Sequence, residues 1–414
     1  MRVLQINSVY GRGSTGRIAT ALHAILAAQG HQSLVAYGRD EAIHCGQAIR
    51  IGTILDNYQH GIRTRVFDLH GFGSAQATKA FIEMIRAWDP DVIHLHNLHG
   101  YYLHIGLLFE YLKAANKPVV WTLHDCWAFT GHCAHFDFIG CERWKSECHD
   151  CPQKSQYPRS WLIDRSRRNY QDKKAIFTGV RDLTLVAPSR WLAGLIGESF
   201  LKNYPVEVIP NGIALEVFSP TPSDFRQRHG LGGMFVMLGV AAVWGERKGY
   251  QTFLELVKRR EPDEAIVMVG LSHGQIRHLP PGIIGIAKTT SLGALAEIYS
   301  AADVFVNPTL DDNFPTTNLE ALACGTPVVM YDSGGSPECI DEQTGIVVKR
   351  GDLSSLLLAI ATVKARGKAA YTTACRQRAE VHFDKNARFA EYLEIYEAKY
   401  ARKEKQKVES RKLK

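Results

Sequence analysis

The sequence predicts an α/β protein of two doubly wound, Rossmann-like domains that face each other across a cleft. Continuous apolar runs rich in β-branched residues alternate with amphipathic stretches along the whole chain. Such runs are typical of parallel sheets that helices cover on both faces. The chain has 414 residues, more than one hydrophobic core usually organises, so we expect two domains.

Twelve runs are predicted to be strands. Those of the first half are RVLQIN, SLVAYG, DVIHLHN, PVVWTLHD, LTLVAPS and VEVIPNG. Those of the second half are MFVMLGVA, AIVMVG, IIGIA, DVFVNP, PVVMYD and GIVV. Between the first two runs, Ile18, Leu22, Ile25 and Leu26 fall on one helical face, and Gly30 can end that helix.

The domain boundary is predicted near residue 212. There the prolines and glycines of VIPNGIALEVFSPTPSDF interrupt the apolar spacing that a helix or a strand would show. The first domain then covers residues 1–212 and the second covers 213–385. Residues 386–414 are predicted to contain a packed helix over about 386–400, followed by a basic tail. The tail fits either a solvated, frayed end or a contact with anionic lipid.

The composition excludes several classes of protein. The chain is 45% hydrophobic and 22% charged, as soluble globular proteins are, and no stretch approaches about 18 uncharged apolar residues. The start MRVLQINSVYGRG lacks the apolar core and cleavage site of a secretory signal, so a cytoplasmic location is expected. The net charge of +7 is modest for this length, and no nucleic-acid partner is expected.

The stretch DDNFPTTNLEALACGTPVV follows a predicted strand and contains a predicted helix that Gly325 ends. Asp312 and Glu320 are eight positions apart, so that both carboxylates could point at one ligand from its two ends. A helix N-terminus beside them would attract a diphosphate or a sugar hydroxyl. The alternative is that Asp311, Asp312 and Asn313 merely cap the helix.

This stretch, followed by GGSPE, resembles the signature of the family 4 retaining glycosyltransferases of the GT-B fold. The resemblance covers most of the chain. It implies that Asp312 contacts the hydroxyls of a donor sugar, that the amides of Asn313 and Phe314 approach sugar and phosphate, and that Glu320 holds the nucleotide ribose. The sequence departs from the family at the first position, where it has Asp in place of Glu.

Two further motifs of the second half take roles from the same resemblance. Arg247 and Lys248, in GERKG, resemble the family's basic pair that neutralises the leaving diphosphate, a task that fixed cations can perform without a metal. Otherwise they are an exposed pair at a helix start. Glu338, in SGGSPECI, resembles a position near the donor sugar and phosphate, and without the resemblance it is a surface loop residue.

In the first half, a strand, a glycine-rich turn and a helix start are predicted for VLQINSVYGRGSTGRIAT. Its glycines fit neither the dinucleotide-binding nor the P-loop spacing. The resemblance places this loop against the donor phosphates. Gly13, Ser14, Thr15 and Gly16 are therefore binding candidates, with Arg17 as a candidate phosphate partner.

Histidines follow two strands of the first half. His124 ends a strand and resembles the family's histidine that reaches the donor sugar near the reacting centre, and Asp125 beside it could order a loop or position the acceptor. His94 and His96 are expected to alternate sides of their strand, so that they cannot both face one site. His96, Asn97 and His99 are candidate acceptor-side groups.

Five of the nine cysteines lie between residues 126 and 151, within a predicted insertion over residues 126–160. Without a secretory signal they do not suggest a disulfide framework. Cys133, Cys141, Cys148 and Cys151 are predicted to hold a structural zinc ion. Free thiols or a redox pair are the alternatives. Similar insertions occur in exopolysaccharide transferases of the colanic-acid type, which the first half resembles.

Together these features predict a retaining hexosyltransferase that moves a sugar from a nucleotide-sugar donor to a glycan acceptor, and no cofactor is expected to be required for catalysis. By family analogy the acceptor is a lipid-linked exopolysaccharide or O-antigen precursor, met peripherally at the inner face of the cell membrane. The alternatives are a GT-B enzyme that hydrolyses or epimerises nucleotide sugars, and a non-catalytic sugar-binding or scaffolding relative.

Overall fold

The computed structural model describes residues 1–40 and 47–412. Leu413 and Lys414, the end of the predicted basic tail, lie outside the described residues. The chain divides into two compact units. The first consists of Met1–Pro210 together with the chain from Phe389 onward, and the second of Asn211–Arg388. The structure thus divides two residues before the predicted boundary, and the C-terminal helix belongs mainly to the first unit.

The first unit contains a parallel seven-stranded sheet. Its strands are β1 Arg2–Asn7, β2 Gln32–Tyr37, β3 Ala48–Arg50, β4 Val92–Leu95, β5 Val119–Thr122, β6 Leu183–Ala187 and β7 Val206–Val208. Its helices are α1 Gly13–Ala28, α2 Ile54–Phe67, α3 Ala75–Trp88, α4 Ile105–Ala115, α5 Ser166–Phe177 and α6 Arg190–Glu198. Three short 3₁₀ helices, Trp127–Phe129, Asp137–Ile139 and Arg143–Lys145, lie in the predicted insertion. The strand order is β3-β2-β1-β4-β5-β6-β7.

The second unit contains a parallel six-stranded sheet in the order β10-β9-β8-β11-β12-β13. Its strands are β8 Phe235–Val240, β9 Glu264–Val269, β10 Ile283–Ile286, β11 Val304–Asn307, β12 Val328–Tyr331 and β13 Gly345–Val348. Its helices are α7 Phe225–Arg228, α8 Tyr250–Lys258, α9 His273–Arg277, α10 Leu292–Ala301, α11 Thr316–Ala323, α12 Leu353–Arg366 and α13 Ala369–Phe383. Glu246–Lys248 and Ser336–Cys339 are 3₁₀ helices, and the long helix α14, Lys385–Lys412, follows α13.

Apolar residues cover both faces of the first sheet. Trp121 packs with Phe109 and Phe177 on one face, at ring-centroid distances of 5.5 and 4.9 Å. On the other face, residues of α1 and α14 pack against residues of the strands in one cluster that contains Ile18, Leu22, Leu26, Phe389, Leu393, Tyr396, Val3, Val92 and Val120. The predicted C-terminal helix therefore covers the first sheet, and it continues through the basic segment that the sequence assigned to a tail.

The predicted fold class of two doubly wound α/β domains is confirmed, because both sheets are parallel and each of the twelve predicted runs contains a strand. The strand β3 was not predicted. Its three half-buried residues are too few to show an apolar pattern. Among the described helices, none has both the length and the apolar character needed to cross a bilayer. That the two domains face each other across a cleft remains a prediction.

Candidate functional site

The sheet order of the second unit brings two predicted motifs together. The chain runs from β8 to β9 and β10 on one side, and β11, β12 and β13 lie on the other side of β8. Ligands of open α/β sheets bind at such a reversal point, beyond the carboxyl ends of the strands. The loop after β8 carries Arg247 and Lys248, and the loop after β11 carries Asp311 and Asp312. Both motifs therefore lie at the reversal point.

The ammonium group of Lys248 forms an ion pair with the carboxylate of Asp312. Both side chains are mostly buried, with 26% and 16% of their surfaces exposed. The guanidinium of Arg247 donates a hydrogen bond of 2.6 Å to the carbonyl oxygen of Asp311, and the amide of Leu310 donates one of 2.8 Å to the carbonyl oxygen of Arg247. The two loops are thus held together by backbone and side-chain contacts.

Two glycines allow the loops to approach this closely. Gly249 has a φ of +75°, and a Cβ atom there would lie 2.4 Å from the carbonyl oxygen of Pro308. Gly334, in the loop after β12, has a φ of +56°, and its Cβ would lie 2.0 Å from the carbonyl oxygen of Asp312. The amide of Gly335 donates a hydrogen bond of 3.1 Å to that same oxygen. Larger residues would force the three loops apart.

The residues after Asp312 are anchored in the second unit. The carboxylate of Asp312 accepts a hydrogen bond of 3.0 Å from the amide of Asn313, one of the amides predicted to approach the ligand. Phe314 is buried, and its carbonyl oxygen accepts a hydrogen bond of 2.9 Å from the side chain of Asn211. Helix α11 has Pro315 at its N-cap without a side-chain cap. The N-cap position is thus taken by Pro315 and not by one of residues 311–313.

Glu320 lies in α11 and is only 2% exposed. Its carboxylate accepts a hydrogen bond of 3.0 Å from the hydroxyl of Tyr299 in α10. Two buried amides at the same end of the sheet, Asn307 and Asn318, are joined at 2.8 Å and were not singled out from the sequence. Asn307 ends an apolar run, and this position is the signal that could have found it, whereas Asn318 lies between Thr317 and Leu319 and carries no such signal. The role of Glu320 on a ribose remains a prediction.

The loop after β12 contributes the turn SGGS, which precedes Glu338 in the 3₁₀ helix. The hydroxyls of Ser333 and Ser336 are buried and have no hydrogen-bond partner within the part of the chain that the structure describes. Neither serine was predicted from the sequence, although both flank the Gly-Gly turn. Arg350 was not predicted either, and its guanidinium donates a hydrogen bond of 3.2 Å to the carbonyl oxygen of Leu310.

In the first unit the order reverses between β1 and β4, and the glycine-rich loop follows β1. Helix α1 begins at Gly13, and its N-cap residue Arg12 makes no side-chain capping bond. Gly13, Ser14, Thr15 and Gly16 therefore form a first helical turn of the kind that attracts anions. Gly16 is buried, and its carbonyl oxygen accepts a hydrogen bond of 3.3 Å from the amide of Gly11.

A chain of neutral histidines lies beyond β4 and β5. The rings of His96 and His124 are joined at 3.2 Å, and the other nitrogen of His96 lies 3.2 Å from the side-chain oxygen of Gln5. Burial lowers the pKa of His124 to about 4, against the opposing effect of Asp125. The rings of His94 and His96 are only 3.9 Å apart. The prediction that these two alternate sides is wrong, because residues two apart on a strand share a face.

The carboxylate of Asp125 contacts His99. The carboxylate of Asp125 lies 2.8 Å from one ring nitrogen of His99, and the Tyr157 hydroxyl lies 2.9 Å from the other. Burial would raise the pKa of Asp125, but the charge and hydrogen bond of His99 hold it below its usual range. The amide of Asn97 donates to the side-chain oxygen of Asn7 at 3.3 Å. The acceptor-side roles of His96, Asn97 and His99 remain predictions.

The cysteines of the insertion lie together, since Cys133, Cys141, Cys148 and Cys151 line one small pocket. A hydrogen bond between the sulfurs of Cys133 and Cys151 raises the pKa of Cys133 and lowers that of Cys151 to about 7. The sulfur of Cys148 accepts a hydrogen bond of 3.2 Å from the amide of Gly131. Across residues 1–40 and 47–412, no group of three or more His, Cys, Asp or Glu side chains is arranged to hold a metal ion. The predicted zinc site is therefore not supported.

Two doubly wound domains with this arrangement of motifs define the class of GT-B glycosyltransferases. Residues 15–217 match the family model described as Glycosyltransferase Family 4, and residues 234–365 match the one described as Glycosyl transferases group 1. The chain belongs to the family 4 glycosyltransferases, and the resemblance found in the sequence is confirmed.

Individual relatives agree with this assignment. WcaC of Escherichia coli (strain K12), a glycosyl transferase assigned to colanic acid biosynthesis, is 25% identical over 374 residues, which are 86% of this chain and 89% of WcaC. Sucrose-phosphate synthase (tll1590) from Thermosynechococcus elongatus superposes with a TM-score of 0.72 at 20% identity, over 97% of this chain and 99% of that chain. Alr3699/HepE of Anabaena, solved with UDP-glucose, superposes with a TM-score of 0.68 at 16% identity, over 96% of this chain and 100% of that chain. The two structural likenesses show the fold.

Proposed function

We propose that this chain transfers a hexose from a nucleotide-sugar donor to a glycan acceptor with retention of the anomeric configuration. The acceptor we propose is a lipid-linked exopolysaccharide or O-antigen precursor, met in the cytoplasm at the inner face of the cell membrane. The similarity to WcaC, which is assigned to colanic acid biosynthesis, supports the acceptor class. The donor class is supported by HepE, a structure of the same fold that was solved with UDP-glucose.

The ion pair of Lys248 and Asp312 carries the proposal. Breaking the bond between the anomeric carbon and the diphosphate leaves negative charge on a phosphate oxygen, and fixed cations stabilise this charge. Lys248, with Arg247 beside it, is a cation at the reversal point of the second sheet. When the ammonium group of Lys248 pairs with the diphosphate instead, the carboxylate of Asp312 becomes available to accept hydrogen bonds from sugar hydroxyls.

The remaining residues of the second unit take positioning roles in this proposal. The amides of Asn313 and Phe314 approach the sugar and phosphate, and Glu320 accepts hydrogen bonds from the ribose. Its fixed rotamer, held by Tyr299, suits that role because a buried carboxylate loses little freedom on binding. Glu338 and the serine hydroxyls of the Gly-Gly turn lie on the loop that contacts Asp312.

In the first unit we assign the anion-binding first turn of α1, Gly13 to Gly16, to the donor phosphates and His124 to the donor sugar. The low pKa of His124 keeps its imidazole neutral at neutral pH. The ring can therefore donate one hydrogen bond to a sugar hydroxyl and does not take the proton of the acceptor. We propose same-face attack. The bond to the diphosphate breaks, the departing phosphate oxygen takes the proton of the acceptor hydroxyl, and the acceptor oxygen bonds to the anomeric carbon. No metal ion is assigned to this step.

The experiment is a screen of nucleotide sugars against the purified chain. Thermal unfolding with each donor identifies the ligand, since a donor at about 100 times its Kd stabilises the folded state by roughly 2.7 kcal/mol. Product analysis by NMR with a glycan acceptor then reports the anomeric configuration. The Lys248→Ala variant is the control for specific binding.

The outcomes separate the alternatives. A glycoside with the anomeric configuration of the donor supports the proposal, and a glycoside with the inverted configuration contradicts the mechanism. Free sugar or an epimer as the only product, with every acceptor tested, would favour a hydrolase or an epimerase. Stabilisation without any turnover would favour a non-catalytic sugar-binding relative.

A further inference from the structure

An exposed apolar face on the first unit takes no part in the proposed reaction. Helix α2 exposes four large apolar side chains to 58–68% of their surface, Ile54, Leu55, Tyr58 and Ile62. Their spacing places them on one face of the helix, and the buried residues His60 and Thr64 lie on the other. Contiguous exposed apolar surface of this kind marks contact with another molecule or with a membrane.

The segment after the cysteines extends this face. Trp161, Leu162 and Ile163 are consecutive and expose 60%, 69% and 44% of their surfaces. The amide of Trp161 donates a hydrogen bond of 2.6 Å to the carbonyl oxygen of Arg65 in α2. The guanidinium of Arg65 lies 5.8 Å from the Trp161 ring centroid. The two apolar segments are therefore continuous through Arg65, and we call them together the α2–Trp161 face.

Positive charge surrounds the α2–Trp161 face. The segment 154–168, KSQYPRSWLIDRSRR, contains five Lys and Arg residues and a single acidic residue. A groove of about 570 Å³ beside it is lined mainly by Phe67, Leu69, Ile163, Arg165, Arg167 and Arg168. The side chains of Arg167 and Arg168 are 64% and 66% exposed, and their ion pairs with Glu147 and Asp172 are screened by water. The guanidinium groups of Arg167 and Arg168 can therefore leave these carboxylates and form ion pairs with phosphate groups instead.

We propose that the α2–Trp161 face docks on a bilayer of anionic phospholipid. The aliphatic side chains would enter the boundary between headgroups and acyl chains, Trp161 and Tyr58 would lie at headgroup level, and the basic residues would bind lipid phosphates. A second copy of the chain fits less well, because self-association would bring two positively charged segments together. The inference rests on the proposed function for its purpose, since a lipid-linked acceptor has to be met at a membrane.

Co-sedimentation of the full chain with vesicles tests the inference. One set of vesicles is phosphatidylcholine, and the other also contains phosphatidylglycerol. We expect binding to the second set that weakens with salt. The double variant Ile62→Ser, Leu162→Ser should lower the vesicle partition coefficient by about tenfold or more, because two exposed apolar side chains are lost. Leu358→Ser, at a position of the second unit with 71% exposure, is the matched control and should bind as the wild type does.

A charge variant separates the two contributions. Arg159→Glu with Arg167→Glu should abolish the preference for phosphatidylglycerol. Binding that persists unchanged in both double variants, or an absence of binding by the wild type, overturns the inference. So does a dimer in vesicle-free solution that Ile62→Ser, Leu162→Ser dissociates, because the face would then bind a second copy. Hydrolysis of a water-soluble donor should be unchanged in all these variants, so that failure of the membrane inference is distinguished from failure of the proposed function.

Discussion

Lys248 and Asp312 form an ion pair at the reversal point of the second sheet, although they are 64 positions apart in the sequence. Each comes from the loop after a strand, β8 or β11, and these two strands are neighbours only because of the sheet order. Because both side chains are mostly buried, removal of one leaves the other charge partly desolvated and without its counter-ion. The pair is therefore expected to act as a unit.

We expect Lys248→Ala to lower kcat/KM for the donor by about 10²–10³-fold, as loss of one preorganised electrostatic donor does. Asp312→Ala should cause a loss of similar order. The double variant should lose much less than the product of the two single effects, since residues of one ion pair are not independent. Steady-state kinetics on the three variants measure this coupling.

The matched control is Lys258→Ala, which removes an exposed lysine of α8 in the same unit. It should change neither the kinetics nor the unfolding temperature. Unchanged turnover in a folded Lys248→Ala protein would remove Lys248 from the site, and strictly multiplicative losses would show that the ion pair has no functional meaning.

Gly249 should be intolerant of any side chain. Its φ of +75° disfavours other residues, and a Cβ would lie 2.4 Å from the carbonyl oxygen of Pro308. We expect Gly249→Ala to lower the free energy of unfolding by about 1–3 kcal/mol, as strained backbone does, and to displace Lys248. Chemical denaturation and donor kinetics measure the two effects. In the control Gly293→Ala, the nearest atom would be an ordinary 3.7 Å away, so the site should be unaffected.

The strands could be predicted from the sequence, but the contacts of the motif residues could not. Continuous apolar runs reveal buried parallel strands, and the Asp312–Glu320 spacing can be read directly. The pairing of Lys248 with Asp312, in contrast, depends on which strands become neighbours, and local pattern does not encode that order. The contacts of Glu320 with Tyr299 and of Asp125 with His99 escaped prediction for the same reason.

Other departures have local causes. The predicted zinc site depended on the number and spacing of cysteines, which do not determine how the four sulfurs are arranged in space. The sulfurs of Cys133 and Cys151 share a hydrogen bond, and the sulfur of Cys148 accepts one from the amide of Gly131. Neither contact can be predicted from a C-x-x-C pattern. The extent of α14 was underestimated because its apolar spacing ends near residue 400, whereas the helix continues to Lys412.

The thiols of the insertion should be metal-free and unequal in reactivity. The hydrogen bond from Cys133 lowers the pKa of Cys151 to about 7, whereas burial raises the pKa of Cys148 to about 12. Because the thiolate is the nucleophile, iodoacetamide at neutral pH should modify Cys151 well before Cys148. Peptide mass spectrometry measures the order.

A chelator should leave the unfolding temperature of the wild type unchanged, and Cys151→Ser should remove the fast-labelling site. Stoichiometric zinc in the purified protein, together with a lower unfolding temperature after chelation, would contradict this prediction and restore the four-cysteine site.

The buried histidines of the first unit should make its stability depend on pH. Burial lowers the pKa of His124 to about 4 and those of His94 and His96 well below 6.5. Between pH 6.5 and 4 the unfolded chain therefore binds protons that the folded chain does not. Stability that is fully present above pH 6.5 is lost as the pH falls through this window.

Each such histidine contributes up to about 1.4 kcal/mol of unfolding free energy per pH unit within that window. His94→Gln removes one of them, so we expect the slope of unfolding free energy against pH to become shallower between pH 6.5 and 5, whatever the variant's stability at pH 8. His273→Gln, at an exposed position of α9, should keep the wild-type slope. Denaturant unfolding across this range measures the slopes, and equal slopes for His94→Gln and the wild type would show that His94 is protonated in the folded chain.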